Sequence, residues 1–128
     1  MSWNVKKFDE LTNRELYNLL KERTLVFVVE QNCPYLEVDG KDPFSYHLFK
    51  EDNGEIVAYL RILPAGVAYQ EASIGRVLVK KEYRGQGIAK DLLKKGLDFI
   101  QNELKETKVK IQAQDYLREF YSSFGFQP

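Results

Sequence analysis

The sequence predicts a mixed α/β domain with a mostly antiparallel sheet flanked by helices. Three observations lead there. Asn53-Gly54 sits between two alternating apolar runs, the pattern of a tight hairpin. From Ile88 onward the apolar residues change to a helical period. The element order reads strand, helix, three strands, helix, strand, helix, which one mixed sheet with flanking helices accommodates. At 128 residues the chain fits a single domain spanning residues 1–128.

Each element has its own signal. "SWNVKKF" alternates as a short first strand. Thr12 and Glu15 form a capping-box pair, and Leu11 and Leu16 have the spacing of a hydrophobic staple, so a helix begins here. Leu16, Leu19, Leu20 and Phe27 keep its period. The run Val26-Phe27-Val28-Val29 also suits a strand, but the spacing favours helix to about Glu30. Pro34, Gly40 and Pro43 mark a loop. "SYHLFKEDNGEIVAYLRIL" is the hairpin, and "ASIGRVLVK" supplies a third strand, in which Gly75 suggests a bulge or a close backbone approach. The second helix carries the stripe Ile88, Leu92, Leu93, Leu97, Ile100 and Leu104. "KVKIQAQ" reads as a strand. Asp115 is a candidate N-cap for a last helix that Gly125 terminates.

Composition narrows the functions. Apolar residues make up 44% of the chain and aromatic residues 13%, enough for a substantial core. Nineteen basic side chains balance nineteen acidic ones, which argues against a general nucleic-acid binder. Charge is nevertheless segregated. Residues 80–95 hold six basic and two acidic side chains, and residues 30–42 hold four acidic ones and one lysine. Such a protein suits an anion at one end and a cation at the other, although ordinary solvated faces give the same counts. Cys33 is the single cysteine, so no intrachain disulfide forms, and it reads as a bystander. One Cys and one His leave no structural metal site to expect. No secretory signal and no membrane-length apolar run are visible, so the default location is cytoplasmic.

The most informative stretch is "VLVKKEYRGQGIAKDLL". It leaves a strand, places Gly85 and Gly87 around one glutamine, and enters a helix. A helix N-terminus presents unpaired N–H groups and partial positive charge, which favour phosphate. Glycines beside it keep side chains out of the ligand's way. A Walker loop is absent, and Lys90 stands where a dinucleotide fingerprint needs a third small residue. A glycine turn that merely starts a helix remains the plain alternative.

The residues "RGQGIA" match Arg/Gln-x-x-Gly-x-Gly/Ala through Arg84, Gly87 and Ala89. That pattern, between strand and helix, is similar to the coenzyme A loop of the GNAT acetyltransferases. "LREFYSSFGFQP" resembles the last helix of those enzymes, where a tyrosine precedes a Gly-Phe pair; Tyr121, Gly125 and Phe126 match. "FVVEQNCPYLEVDGKD", "YHLF", "VAYLRIL", "IGRVLV" and "IQAQDYLREFYSSFGF" together resemble the ElaA-like branch, in the right order over nearly the whole chain. The resemblance implies a GNAT-like sheet and acetyl transfer from acetyl-CoA, as co-substrate, directly to an amine. It also leads one to expect two closing strands after the Gly-Phe-x-Pro segment. The chain stops at Pro128, so an open edge and a homodimer are expected.

The same resemblance assigns candidate residues. The backbone of Val77 is the oxyanion donor, and Val79, with Leu78 between them, pairs with the pantetheine arm. Arg84 belongs to the loop motif, and the N–H groups of Gly85, Gln86, Gly87, Ile88, Ala89 and Lys90 hold the diphosphate. Tyr121 is the acid for the departing thiolate; without the resemblance it is a core aromatic beside Leu117, Phe120 and Phe124. The base is open. His47 titrates near neutrality but begins an apolar strand, as a structural histidine does. Glu30 is a candidate to bind or deprotonate the amine, or to pair with Arg23, Arg61 or Arg76. Water is the third option. Gln31, Asp39 and Asp42 are candidates to shape the acceptor pocket, and the acidic loop favours a cationic acceptor. The competing function is a non-catalytic acyl-CoA-binding or interaction module of the same fold. No nucleic-acid or membrane partner is expected.

Overall fold

The computed structural model describes residues 2–31 and 37–111. Cys33 and Pro34 lie outside them. So do the expected last helix with Asp115, Tyr121 and Gly125, the strand start at Phe126, and the second half of "KVKIQAQ".

Five strands form one sheet in chain order: β1 (Ser2–Lys7), β2 (Tyr46–Asp52), β3 (Glu55–Leu63), β4 (Ala72–Val79) and β5 (Val109–Ile111). The first three pairings are antiparallel and the last is parallel. Helix α1 (Asn13–Thr24) connects β1 to the loop before β2, and α2 (Ile88–Asn102) is the crossover that makes the β4–β5 pairing parallel.

Local chemistry accounts for most boundaries. Thr12 caps α1 as expected: the Glu15 amide donates to Thr12 Oγ1 at 3.0 Å, and the Thr12 amide donates to Glu15 Oε1 at 2.9 Å. The β2–β3 turn has Asn53 at φ 53° and Gly54 at φ 81°, the two positive values a type I′ turn requires. Beyond Thr24 the helix widens into a π segment, Leu25–Glu30, and the Gln31 amide reaches back to the Val26 carbonyl at 3.3 Å. The expected helix to Glu30 is thus present, with its last turn widened where the β-branched residues crowd it.

Both faces of the sheet are covered. Leu48, Ala58, Leu60, Ile62, Ile74 and Val79 pack against Ile88, Leu92, Leu93 and Ile100 of α2. Phe49, Ile56, Tyr59 and Leu78 pack with Leu19 of α1 and Phe27 of the π segment on the other face. Strand β3 is buried from Ile56 to its end because both faces claim it. The α2 stripe matches the sequence pattern except that Leu104 lies past the helix end, still packed against the same core.

The bulge in β4 lies one step beyond the expected position. Tyr59 pairs with Leu78 and Arg61 with Gly75, so Arg76 and Val77 together oppose the single residue Leu60. Arg76, not Gly75, takes the left-handed conformation, at φ 54°. Helix α2 approaches the sheet closely at Gly96, where an added Cβ would lie 3.1 Å from Leu60 Cδ2 and 3.5 Å from Ile74 Cδ1. A Gly96→Leu variant should therefore lose about 1–3 kcal/mol from overpacking, less the helix-propensity gain. Urea unfolding measures it; unchanged or raised stability would show that α2 has room to move off the sheet.

Candidate functional site

Strand β4 runs directly into the glycine turn, and three contacts hold that junction. Tyr83 Oη donates to Asp52 Oδ2 at 2.7 Å, and Lys80 Nζ donates to Glu55 Oε2 at 3.1 Å, so the β2–β3 hairpin anchors it. Arg84 Nε donates to the Val79 carbonyl at 2.8 Å. Arg84, Gly85, Gln86 and Gly87 are all exposed, and buried Ile88 pins the helix start.

The turn leaves its amides free to meet a ligand. Gly87 is the N-cap residue of α2 at φ 80° and supplies no side-chain cap. Gly85 is also left-handed, at φ 83°. A Cβ at either glycine would meet nothing within 4 Å. Backbone conformation therefore demands these glycines, and their missing side chains keep open the space outside the turn. The first-turn N–H groups of α2 have no intrahelical acceptor. With the helix dipole and Lys81, Arg84 and Lys90 in the same segment, this is a candidate anion site.

The edge of β4 adds backbone donors. The Lys80 amide donates to the Val57 carbonyl at 2.7 Å, toward β3. Strand alternation turns the Val79 amide the other way. The Val79 carbonyl shares that side, where Arg84 holds it. The same alternation carries the Val77 amide to the β5 side. Strand β5 pairs with Ala72, Ser73 and Ile74 and, among the described residues, with nothing beyond them. Leu78 departs from expectation: its backbone turns to β3 and its side chain enters the α1-side core.

Beside the bulge lies a network of six charged side chains that sequence spacing does not reveal. Fully buried Arg23 donates to Glu37 Oε1 and to Asp42 Oδ1, each at 2.7 Å. Arg61 donates from Nη1 to Asp42 Oδ1 at 3.0 Å and grips Asp39 with both Nη groups, at 2.9 Å each. Arg76 Nε donates to Glu37 Oε1 at 2.9 Å, and Arg76 Nη2 lies 3.4 Å from Asp39 Oδ2. Three guanidinium groups thus meet three carboxylates. Burial opposes charge on Asp39 and Asp42. Hydrogen bonds and charge from Arg61 for Asp39, and from Arg23 and Arg61 for Asp42, outweigh it and hold both carboxyl groups below their ordinary range.

These contacts bear on the acidic loop, Glu30 and His47. Asp39 and Asp42 are engaged by arginines, and Glu37 Oε1 accepts from two of them while its Oε2 is buried with no hydrogen-bond partner among the described residues. Glu30 pairs with none of Arg23, Arg61 or Arg76. It forms a bidentate pair with Arg84, at 2.7 and 3.1 Å, linking the π segment to the glycine turn. The hydrogen bond from Arg84 lowers the Glu30 pKa against a smaller effect of burial, which makes it a poorer base. His47 is fully buried, with Nδ1 2.6 Å from Tyr59 Oη and Nε2 3.0 Å from the Asp42 carbonyl. Burial lowers its pKa, and neither nitrogen is open to an acceptor. Gln31 ends the π segment, half-buried.

A cavity of about 220 Å³ opens on the α1 side of the bulge, lined by Asp39, Arg61, Ser73, Gly75 and Arg76 together with Lys41 and Tyr69. Sequence reading placed Asp39 here and missed Arg61, Arg76 and Ser73. The three arginines sit far apart in the chain and entered the sequence reading only as alternative partners for Glu30.

The ion network should dominate the acid response. For a carboxylate with a depressed folded pKa, the stabilisation is complete above its unfolded value near 4 and drains as pH falls through the folded value. Buried neutral His47 adds a loss of the same sign below about pH 6.5. An Arg23→Met variant leaves Glu37 and Asp42 short of a partner and should cost about 3–5 kcal/mol at pH 7. Urea unfolding at pH 7 and pH 3 should show a smaller acid loss in the variant than in the parent. Equal stabilities at pH 7 would contradict the network's role.

With this geometry in view, the relatives are informative. The model of the Acetyltransferase (GNAT) family matches residues 11–126. Protein ElaA of Escherichia coli K12 is 39% identical over 130 residues, covering 100% of this chain and 85% of ElaA. The crystal structure of Escherichia coli ElaA superposes with a TM-score of 0.93 at 40% identity, over 99% of this chain and 87% of that one. An acyl-CoA N-acyltransferase from Pseudomonas aeruginosa gives 0.92 at 40% identity, over 98% and 87%. The family carries acyl-CoA-dependent acyl transfer as its reaction. The family model, the sequence identity and the superposition over nearly the whole chain agree, and the chain belongs to the GNAT acetyltransferase family, in its ElaA-like branch.

Proposed function

We propose that the chain is an N-acetyltransferase that moves the acetyl group of acetyl-CoA directly to a primary amine. One observation carries this: the end of β4, where the Val79 amide faces away from β3, leads through a short turn into the bare N-terminus of α2. Coenzyme A has a diphosphate and an amide-bearing arm, and the two features suit them in that order. The amides of Gly85, Gln86, Gly87, Ile88, Ala89 and Lys90, with Arg84, would hold the diphosphate. The Val79 amide would pair with the arm. Its carbonyl is already taken by Arg84, so this pairing is one-sided.

The Val77 amide is our candidate donor to the carbonyl oxygen as that oxygen gains negative charge. The amine nitrogen bonds to the acetyl carbon while the carbon–sulfur bond breaks. One proton leaves the nitrogen and one reaches the departing sulfur, so the products are an N-acetyl amine and the thiol of CoA. Tyr121 is the candidate donor of the second proton, on the family resemblance. For the first, His47 is enclosed and Glu30 is held by Arg84. Water therefore takes that proton, and Glu30 acts by positioning Arg84 at the turn.

Free CoA release from acetyl-CoA, across a broad amine panel, tests the reading. Tyr121→Phe keeps the ring and removes one oxygen. It should lower kcat about a hundredfold while acetyl-CoA affinity by calorimetry stays within a few-fold. Turnover of the variant within a few-fold of the parent would remove Tyr121 from the mechanism. Binding of CoA with no turnover of any amine would favour an acyl-CoA-binding module instead.

A further inference from the structure

We propose that the cavity beside the β4 bulge is the acceptor pocket and that it selects small primary amines that also carry a carboxylate. This rests on the acyl-transfer reading and adds the acceptor's chemical class. Position is the first ground. Gly75 and Arg76 line the cavity, and Val77, the candidate donor to the reacting carbonyl, is the next residue. At about 220 Å³ the space falls below the range that holds drug-sized ligands.

Charge is the second ground. Among the described residues, four charged side chains line it: Lys41, Arg61 and Arg76 are cations and Asp39 is the single anion. Asp39 is already saturated. It accepts both Nη groups of Arg61, the Lys41 amide at 3.1 Å and the longer contact from Arg76. Two oxygens offer about four lone-pair directions, so no acceptor is left for an incoming ammonium.

The cationic side is less satisfied. Arg61 Nε is buried with no hydrogen-bond partner. Among the described residues, no carboxylate lies within ion-pair distance of the Lys41 ammonium. Lys110 Nζ stands 4.5 Å above the ring of Tyr69, adding a further positive charge at the wall. A carboxylate matches this lining through charge-assisted hydrogen bonds. Its amine, on the bulge side, would then lie toward Val77.

The test uses the full chain with acetyl-CoA and three matched sets of acceptors: the common α-amino acids with β-alanine and 4-aminobutyrate, their carboxamides, and their decarboxylated amines. Initial rates of CoA release give kcat/KM for each. The expected result is a preference of about tenfold or more for at least one carboxylate acceptor over its carboxamide. Lys41→Gln and Arg76→Gln should each shrink that ratio several-fold. A ratio taken within one variant cancels any loss of folded protein. Equal or better turnover of the carboxamides or decarboxylated amines would overturn the proposal, as would a ratio that both variants leave intact. If only amines without a carboxylate are acetylated, the pocket assignment falls and acyl transfer stands. If no amine releases CoA, the acyl-transfer reading fails and the pocket assignment with it.

Discussion

The structure depends on one backbone irregularity: Arg76 held in a left-handed conformation in the middle of β4. A non-glycine residue there is uncommon and costs free energy unless neighbours hold it. Here they do. Its Nε is fixed by Glu37 Oε1, the same oxygen that receives Arg23 Nε from α1. Arg61 on β3 connects Asp42 to Asp39, so the three arginines and three carboxylates form one connected unit. Such a unit is a doubtful source of net stability but a strong constraint on geometry once formed. It holds the bulge, where Arg76 and Val77 together oppose Leu60.

Two further features lie beyond the bulge. The Val79 backbone faces away from β3, and Arg84 closes back on its carbonyl. Arg84 also meets Glu30, so the end of the π segment and the glycine turn are tied together. Meanwhile α2 is seated firmly. Gly96 lets it approach Leu60 and Ile74, and Ile88, Leu92, Leu93 and Ile100 bury its inner face. A rigid helix with an exposed N-terminus suits a ligand whose charge must be held while chemistry proceeds some distance away.

Local rules made much of this legible in the sequence. The Thr12–Glu15 box, the Asn53-Gly54 turn and the α2 stripe each depend on residues within a few positions, and each is found where expected. The glycine turn was readable for the same reason. What escaped was non-local. Glu37, Asp39 and Asp42 looked like a cation-attracting loop because their partners, Arg23, Arg61 and Arg76, come from α1, β3 and β4. Gly75 drew attention as the flexible residue of β4, yet a tertiary ion pair overrode that preference and put the strain on Arg76. His47 and Glu30 were ambiguous because burial and partner choice decide their roles, and neither is written in a single chain segment.

The central claim is that the amides of Val77 and Val79 turn away from β3 and stand open to a ligand, while those of Leu78 and Lys80 remain bonded to β3. Residue-resolved amide hydrogen exchange addresses it directly. In the free protein, the amides of Val77 and Val79 should exchange much faster than those of Leu78 and Lys80, despite the burial of the Val79 side chain. Adding CoA should slow Val79 selectively. Protection of Val77 and Val79 equal to that of Leu78 in the free protein, or no change on adding CoA, would contradict the claim.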